Sequence, residues 1–388
     1  TSFLLVFLTA IFLSYFGLET DKFNDLIKNK ANESHKYVKL DFTNTKIHLN
    51  PKEFNLAIKL LEPKILVKDN EIILSKLNLF LPLRAFITSD FLLQKAQIAF
   101  VENDIKDLTK ITTLYIPRIF NKQLKKIFNK GKLKGEFIIP FEKDGSMGKN
   151  YEFSGEIINA YINLPNGFLI KNLSTEMSYG KEKENSFNAT IKNGSLFDIE
   201  LIDSTINLKS DNNQTKVKSI LHTNGNISFS QFKEISALLG LKTNSFKNIE
   251  GNVDLETEIN FNLNKKFKVK NLLYSTTGNI SNLEIEINEK KIIKVYLPEF
   301  DSKIVLKDTN IKLFNSKSDI TAELDGSIKT KDNFDKFRIK KKYKYIKKLF
   351  EISGSLDLTS SKFQVDRLNY LKDYGVSSEI NFNVNFIL

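Results

Sequence analysis

Residues 251–269, GNVDLETEINFNLNKKFKV, alternate apolar and polar side chains over most of their length. Successive side chains of a β-strand point to opposite faces of a sheet, so an alternating run places its apolar residues on one face, whereas on a helix they would scatter around the axis. The apolar members of this run are Val253, Leu255, Ile259, Phe261 and Leu263. The stretch predicts a half-buried strand, and it raises the question of what covers the apolar face.

The same alternation recurs through most of the chain, and the part after residue 131 is predicted to hold roughly twenty strands joined by short turns. Three runs supply twelve candidate groove-lining residues, which are Val253, Leu255, Ile259, Phe261, Leu263, Leu283, Ile285, Ile287, Ile380, Phe382, Val384 and Phe386. Left in water, these side chains would together forgo on the order of 20–35 kcal/mol. That exceeds the ~5–15 kcal/mol net stability of a whole domain, so we expect the face to be covered.

Two architectures could cover such a face. A second sheet could pack on the first in a closed sandwich or barrel. Alternatively, one long antiparallel twisted sheet could curl into an open groove, a β-taco, whose apolar interior holds lipid acyl chains. The absence of a linker or composition change between residues 131 and 388 favours continuous extension of one sheet. The fold class we expect is therefore mainly β, with the closed sandwich as the alternative.

A few short amphipathic helices interrupt the strand pattern. Residues 116–130 carry apolar side chains at helical spacing, namely Ile119, Phe120, Leu124, Ile127 and Phe128. Ser228 and Gln231 match a capping box at the start of a second helix. Asp366 is expected to open a third, and a helical pattern also follows the N-terminal apolar stretch. These helices are too few and too short to cover the predicted sheet.

The first eighteen residues, TSFLLVFLTAIFLSYFGL, contain no charged side chain. A helix of this length spans slightly less than the hydrocarbon core of a bilayer, which is about 30 Å thick. We expect a retained single-pass membrane anchor, with an uncleaved signal peptide and a buried core helix as alternatives. Because the chain begins with Thr and stops inside a strand, we also expect it to be a fragment. The anchor residues are Phe3, Leu4, Leu5, Val6, Phe7, Leu8, Ile11, Phe12, Leu13 and Phe16.

The composition removes most catalytic chemistry. The chain has no Cys, no Trp and three His, and it contains no nucleotide-binding, zinc-protease or CxxC motif. We therefore expect no enzyme activity, no metal and no cofactor, and we interpret His35, His48 and His222 as ordinary turn or surface residues. The net charge of +12 could attract phosphates on lipid headgroups or nucleic acid, but general Lys enrichment explains it as well.

Residues 335–350, DKFRIKKKYKYIKKLF, interleave basic and apolar side chains. Ile339, Tyr343, Ile346 and Phe350 form a stripe at helical spacing, which is compatible with a basic amphipathic helix on anionic headgroups. A solvated Lys-rich helix or loop between strands is the alternative, and nucleic-acid binding is disfavoured by the predicted anchor. The candidate headgroup contacts are Lys340, Lys341, Lys342, Lys344, Lys347 and Lys348.

The order of these features resembles the AsmA-like proteins of Gram-negative bacteria, particularly the YhdP and TamB branch. The resemblance rests on the apolar stretch FLLVFLTAIFLSYFGL, on strand runs such as VKLDFTNTKIHL and LLQKAQIAFVEND, on the entry LYIPRIFNKQLKKIFNKGKLKGEFIIPF, and on the body sequence IEGNVDLETEINFNL. It covers nearly the whole chain as a match of pattern and order. It implies an anchor at 1–18, an AsmA-like β-groove region at 19–130 and a YhdP-type extended groove at 131–388.

The resemblance also implies a function. It predicts a single-pass protein of the bacterial inner membrane, with the bulk of the chain in the periplasm, that carries phospholipid along its groove toward the outer membrane. Outer-membrane or periplasmic proteins are the expected partners. The alternatives are a TamB-like assembly factor for outer-membrane proteins and a closed structural or adhesin module.

Overall fold

The computed structural model describes residues 2–34, 38–67, 70–83, 92–109, 127–148, 150–163, 169–180, 186–210, 214–238, 243–264, 268–288, 294–300, 302–329 and 333–387. Within these ranges the chain is mainly β and has few short helices. It forms two compact units, Thr1–Thr190 and Ile191–Leu388. The predicted boundary at residue 131 falls inside a strand of the first unit.

The first unit begins with two helices, α1 (Ser2–Tyr15) and α2 (Asn24–Ser34), which are separated by a short strand. Its strands are β1 (Leu18–Thr20), β2 (Val38–Asp41), β3 (Thr45–Asn50), β4 (Asn55–Leu60), β5 (Lys64–Val67), β6 (Asn70–Pro82), β7 (Lys95–Asp104), β8 (Phe128–Pro140), β9 (Glu152–Asn163) and β10 (Leu169–Gly180). The unit boundary lies within the following strand, β11 (Ser186–Leu196).

The second unit contains one helix, α3 (Phe229–Leu238), and a 3₁₀ turn at Asp366–Leu368. Its strands are β12 (Ile199–Ser210), β13 (Gln214–Ile227), β14 (Phe246–Asn264), β15 (Val269–Ile287), β16 (Lys303–Asn315), β17 (Asp319–Lys329), β18 (Phe334–Lys344), β19 (Leu349–Asp357), β20 (Phe363–Val365), β21 (Tyr370–Lys372) and β22 (Glu379–Ile387).

All strands except the small β20–β21 hairpin belong to one antiparallel sheet, which does not close in the described part of the chain. In the first unit the order is β1, β3, β4, β6, β7, β8, β9, β10, and β5 pairs with the start of β6. In the second unit neighbouring strands follow chain order from β12 to β19, and β22 pairs with β19. The open sheet does not support the closed-sandwich alternative.

The core of the first unit lies between the sheet and α2. Phe42, Leu60, Leu77 and Phe100 are buried there, and Ile27 of α2 packs against them. An ion pair holds the helix in place, because the Lys28 Nζ lies 2.9 Å from the Asp41 carboxylate on β2. The helical pattern predicted after the N-terminal stretch is thus a helix that covers one apolar part of the sheet.

The capping box predicted for α3 is confirmed. The backbone N–H of Gln231 donates to the Ser228 hydroxyl at 3.5 Å, and the Ser228 N–H donates to the Gln231 side-chain oxygen. This reciprocal pair satisfies two N–H groups that the first helical turn leaves without intrahelical partners. Phe232 of the predicted apolar stripe packs edge-to-face on Phe246, with ring centroids 5.6 Å apart.

Two predicted helices differ from the structure, and a third lies mostly outside the described residues. Residues 335–344 lie in strand β18 and 345–348 form a turn, so the basic helix over 335–350 is wrong. Most of the helix predicted at 116–130 falls outside the described residues, and its Phe128 begins strand β8. Asp366 opens one 3₁₀ turn only, because Asn369 adopts a left-handed conformation with φ of 49° and β21 follows directly.

The N-terminal helix α1 is fourteen residues long. Several of the predicted anchor side chains on it are exposed, namely Leu4, Phe7, Leu8, Ile11 and Phe12, and so is Phe16 just after it. No helix among the described residues combines the length and the apolar character needed to cross a bilayer. The membrane anchor therefore stays a prediction.

Candidate functional site

One face of the second unit's sheet is apolar across eight strands. In an antiparallel sheet, directly paired residues point to the same side, so the strand register defines rows of side chains across the sheet. One such row runs through Thr223, Leu255, Gly278, Ile311, Leu324, Ile339, Gly354 and Phe382. A second runs through Ile259, Tyr274, Asn315, Ile320, Tyr343, Phe350 and Phe386. We call this side of β13–β19 and β22 the apolar face.

The register places all twelve predicted groove-lining residues on the apolar face. The five from β14 alternate with polar neighbours, and Leu283, Ile285 and Ile287 of β15 pair with Gly251, Ile249 and Phe246 of β14. The four from β22 pair with Leu356, Gly354, Ile352 and Phe350 of β19. Strands β16–β19 add apolar residues that the sequence analysis did not single out, although the same alternation could have found them.

Protein covers the apolar face only in part in the described residues of the second unit. Ile249, Ile280, Leu306 and Phe337 on this face are 4–6% exposed, whereas the predicted groove-lining residues are more accessible. None of the twelve residues is buried; ten are half-buried, and Val384 and Phe386 are 50% and 42% exposed. In the core of the first unit, by contrast, Leu60 and Phe100 are 4% and 7% exposed. In the first unit α2 and Leu108 pack on the sheet. In the described part of the second unit the helical elements are α3 and one 3₁₀ turn, and Phe300 and Leu358, outside the strands, are also buried.

Large side chains lie beside the glycines of the apolar face. A Cβ added at Gly354 would be 2.9 Å from the Phe382 ring, and one added at Gly278 would be 2.9 Å from Leu255 Cδ2. A Cβ at Gly278 would also lie 2.1 Å from the Asp254 carbonyl oxygen. Glycine is required at these positions because the neighbouring strands approach too closely for any side chain. The two glycines thereby make room for Leu255 and Phe382 within one row.

Aromatic side chains form a stack along the second row. The ring centroids of Tyr343 and Phe350 are 4.4 Å apart, and those of Phe350 and Phe386 are 5.1 Å apart, both pairs in stacked geometry. Tyr274 lies in the same row, and burial together with nearby Tyr345 raises its pKa. The row presents a continuous hydrocarbon surface across β18, β19 and β22.

The opposite side of the same strands, the charged face, carries cross-strand ion pairs. Lys340 lies 2.6 Å from Glu323, and Arg338 Nε lies 2.5 Å from Asp325. The hydrogen bond from Lys340 lowers the pKa of Glu323, which keeps that carboxylate ionised at neutral pH. Opposite charges on facing positions favour this register over slipped alternatives.

Four of the six predicted headgroup lysines contact other side chains of the sheet. Lys340, Lys342 and Lys344 form ion pairs with Glu323, Asp319 and Glu351. Lys341 belongs to the apolar face, and its Nζ lies 5.1 Å from the centre of the Phe350 ring. Lys347 and Lys348 lie in the exposed turn between β18 and β19. The structure therefore separates the six lysines into two faces and a turn.

A cavity of about 1000 Å³ lies on the second unit's sheet. Its lining consists of two rows of the charged face and of the apolar-face row that lies between them along the strands. The charged residues of the lining include Asp254, Glu256, Lys312 and Arg338. His222 also contributes, with Nδ1 3.6 Å from Glu256. Such a mixed-charge lining suits water and ions and does not suit hydrocarbon. Across the described ranges, no group of three or more His, Asp and Glu side chains could hold a metal ion.

No protein-family model, curated protein sequence or solved structure matches this chain. Function is therefore inferred from the geometry and chemistry of the sheet itself.

Proposed function

We propose that the apolar face binds the acyl chains of phospholipids and that the protein is a nonenzymatic lipid conduit. The observation that carries the proposal is the combination of continuity and exposure. The two rows described above cross eight and seven strands without a charged side chain, and their side chains are half-buried, or exposed in the case of Phe386. Exposed apolar surfaces of this extent in soluble regions mark binding sites.

The chemistry of acyl chains fits this face. Each methylene transferred from water to an apolar surface contributes about 0.8 kcal/mol, so a chain lying along a row replaces the water that the half-buried side chains would otherwise contact. A hydrocarbon chain also needs no hydrogen-bond partner, and the apolar face offers few. The headgroup would remain in water, where its charged phosphate keeps its hydration.

We further propose that the sheet curls around this face as an open groove. Strands twist with a fixed hand, and long sheets coil as the twist accumulates. Curling would bring side chains of distant rows closer together without closing the sheet, so lipid could move from strand to strand. Such movement needs no bond cleavage by this chain.

The cellular setting we propose is the bacterial inner membrane, with most of the chain in the periplasm and lipid moving toward the outer membrane. Support comes from the uncharged N-terminal stretch and from the exposed apolar side chains of α1. Carbonate extraction of membranes tests the anchor: the proposal expects the chain to stay in the pellet, and its release into the supernatant would contradict the anchor.

Mass spectrometry of lipids extracted from the purified full chain tests the conduit. The wild-type protein should carry phospholipid, and Phe382→Asp should lose most of it because the carboxylate places a charge in the middle of a row. The matched control is Asn383→Asp, since Asn383 is adjacent on β22 but exposed on the charged face. Circular dichroism should show the same strand content for both variants.

Two outcomes would refute the conduit. Lipid-free wild-type protein would show that the apolar face is covered by something other than lipid. Equal lipid content in Phe382→Asp and Asn383→Asp would show that any bound lipid lies elsewhere. Leu255→Asp, on β14 at the far side of the same row, provides a second variant in case Phe382→Asp disturbs the edge strand.

A further inference from the structure

One end of the second unit's strands carries a group of lysines with exposed apolar side chains. The register brings the β16–β17 turn, the β18–β19 turn and the end of β22 to the same end of the sheet, because Lys344 pairs with Asp319 and with Leu349, and Leu349 pairs with Ile387. We call this group the basic tip. It comprises Lys317, Tyr345, Ile346, Lys347, Lys348 and Ile387.

The apolar members of the basic tip are unusually exposed. Ile346 is 91% exposed and Ile387 is 76% exposed, while Tyr345 is 39% exposed. Transfer of an exposed aliphatic side chain from water to an apolar environment is favourable, so these side chains are expected to enter such an environment when one is present. Tyr345 combines an apolar ring with a hydroxyl group, and residues of this type are enriched at membrane interfaces.

The two turns are fixed to each other. The Tyr345 N–H donates to the Ser318 carbonyl at 3.0 Å, and the Tyr345 hydroxyl donates to the Asn315 side-chain oxygen at 2.6 Å. Lys317 and Lys347 are therefore presented on a common rigid support. Preorganised groups lose less conformational entropy on binding than groups on independent loops.

The charge of the basic tip is not neutralised by neighbouring carboxylates. The nearest acids, Asp319 and Glu351, already pair with Lys342 and Lys344. Lys317, Lys347 and Lys348 have no ion pair with any described residue and are exposed. The neighbouring β14–β15 hairpin repeats the pattern at the same strand ends, with Val269 54% exposed between two exposed lysines.

We infer that the basic tip docks on the surface of a bilayer that contains anionic lipids. Lysines attract such a surface, and each contributes about 1 kcal/mol, or about fivefold in affinity, near the headgroups. Ile346 and Ile387 would enter the interfacial region while Tyr345 lies at the headgroup level. The inference goes beyond the proposed conduit and adds a membrane contact next to the aromatic row of the apolar face.

A fluorescent reporter tests the docking in the full chain. Because the sequence contains no Cys, Ile346→Cys provides a unique site for an environment-sensitive nitrobenzoxadiazole label. Vesicles of phosphatidylcholine with about 30% phosphatidylglycerol should increase its emission severalfold and shift it to the blue, and pure phosphatidylcholine should not. High salt should reverse the effect because it screens the lysines. Lys347→Gln with Lys348→Gln should lower the apparent affinity by about 25-fold.

Leu368→Cys is the matched control, since Leu368 is 75% exposed at the opposite strand ends beside Asp366 and Arg367. No response at residue 346, or an equal response at residue 368, would overturn the inference. So would a response to heparin or duplex DNA without one to vesicles, because it would identify a different polyanion. Lipid content of the purified protein is read separately: normal content with failed docking refutes the basic tip alone, and lost content with intact docking refutes the conduit alone.

Discussion

The half-exposed apolar face predicts that truncating its side chains costs less stability than the same truncation in a covered core. Phe386 and Phe100 form a matched pair, because each stacks on another aromatic ring, Phe350 at 5.1 Å and Phe137 at 6.1 Å. Phe386 is 42% exposed on the apolar face, whereas Phe100 is 7% exposed in the core beneath α2. The two side chains differ in coverage and in strand position, because β22 pairs with β19 alone among the described strands whereas β7 lies between β6 and β8.

The magnitudes follow from burial. Full burial of a Phe side chain stabilises a protein by roughly 1.5–3 kcal/mol. Somewhat more than half of the Phe386 side chain is buried, so Phe386→Ala should lower the free energy of unfolding by about 1–2 kcal/mol. It leaves no enclosed cavity, because water already reaches the site. Phe100→Ala does leave one, and large-to-small changes of this kind cost about 3–5 kcal/mol. Urea unfolding followed by circular dichroism in lipid-free detergent measures both. A cost of about 3 kcal/mol or more at Phe386 would refute the reasoning, because it would require a covering layer of protein.

Three further predictions concern strand packing, register and helix docking. Gly278→Ala should destabilise the second unit by about 1–3 kcal/mol, because the Cβ would lie 2.1 Å from the Asp254 carbonyl oxygen. The control Gly180→Ala should be tolerated, since its Cβ would meet nothing closer than 3.6 Å. Equal melting temperatures of the two variants would contradict this prediction. Lys340→Glu should lower the free energy of unfolding by about 0.5–1 kcal/mol, because it places two carboxylates opposite each other, and adding Glu323→Lys should restore stability. A double variant no more stable than the single one would show that the ion pair does not stabilise the sheet. The hydrogen bond from Lys28 lowers the pKa of Asp41, so docking of α2 should weaken only as the pH falls below about 4, the ordinary Asp range. Lys28→Gln should raise the pKa of Asp41, measured by carboxyl NMR, back to that range. An unchanged titration of Asp41 in this variant would contradict the assignment.

The sequence predicted the strand-rich class and the apolar face because period-two alternation depends only on local geometry. Val253 to Leu263 lie on one face as expected, and so do the residues of β22. The α3 cap was equally predictable, since Ser228 and Gln231 are three residues apart. Curling of the sheet into a groove could not be tested by pattern, because it depends on how twist accumulates over many strands.

Strand β18 shows why the helix predicted for the basic segment is wrong. Its apolar face reads Phe337, Ile339, Lys341, Tyr343, and the lysine interrupts the alternation, so the helical stripe fitted better. Lys341 is tolerated there because its ammonium group lies 5.1 Å from the centre of the Phe350 ring on the neighbouring strand. On a single helix these two residues would be too far apart for this contact. The partners of Lys340 and Lys342 lie on β17, more than fifteen residues earlier in the chain, and single-segment patterns contain no such information.

Photocrosslinking at two adjacent positions tests the central claim most directly. Benzoylphenylalanine incorporated at residue 382 in living cells reports what contacts the apolar face, and the same group at residue 383 reports the charged face. The account predicts a phospholipid adduct at residue 382 and none at residue 383, detected by mass spectrometry of the purified chain. A crosslink from residue 382 to protein in place of lipid would contradict the claim that hydrocarbon chains occupy this face.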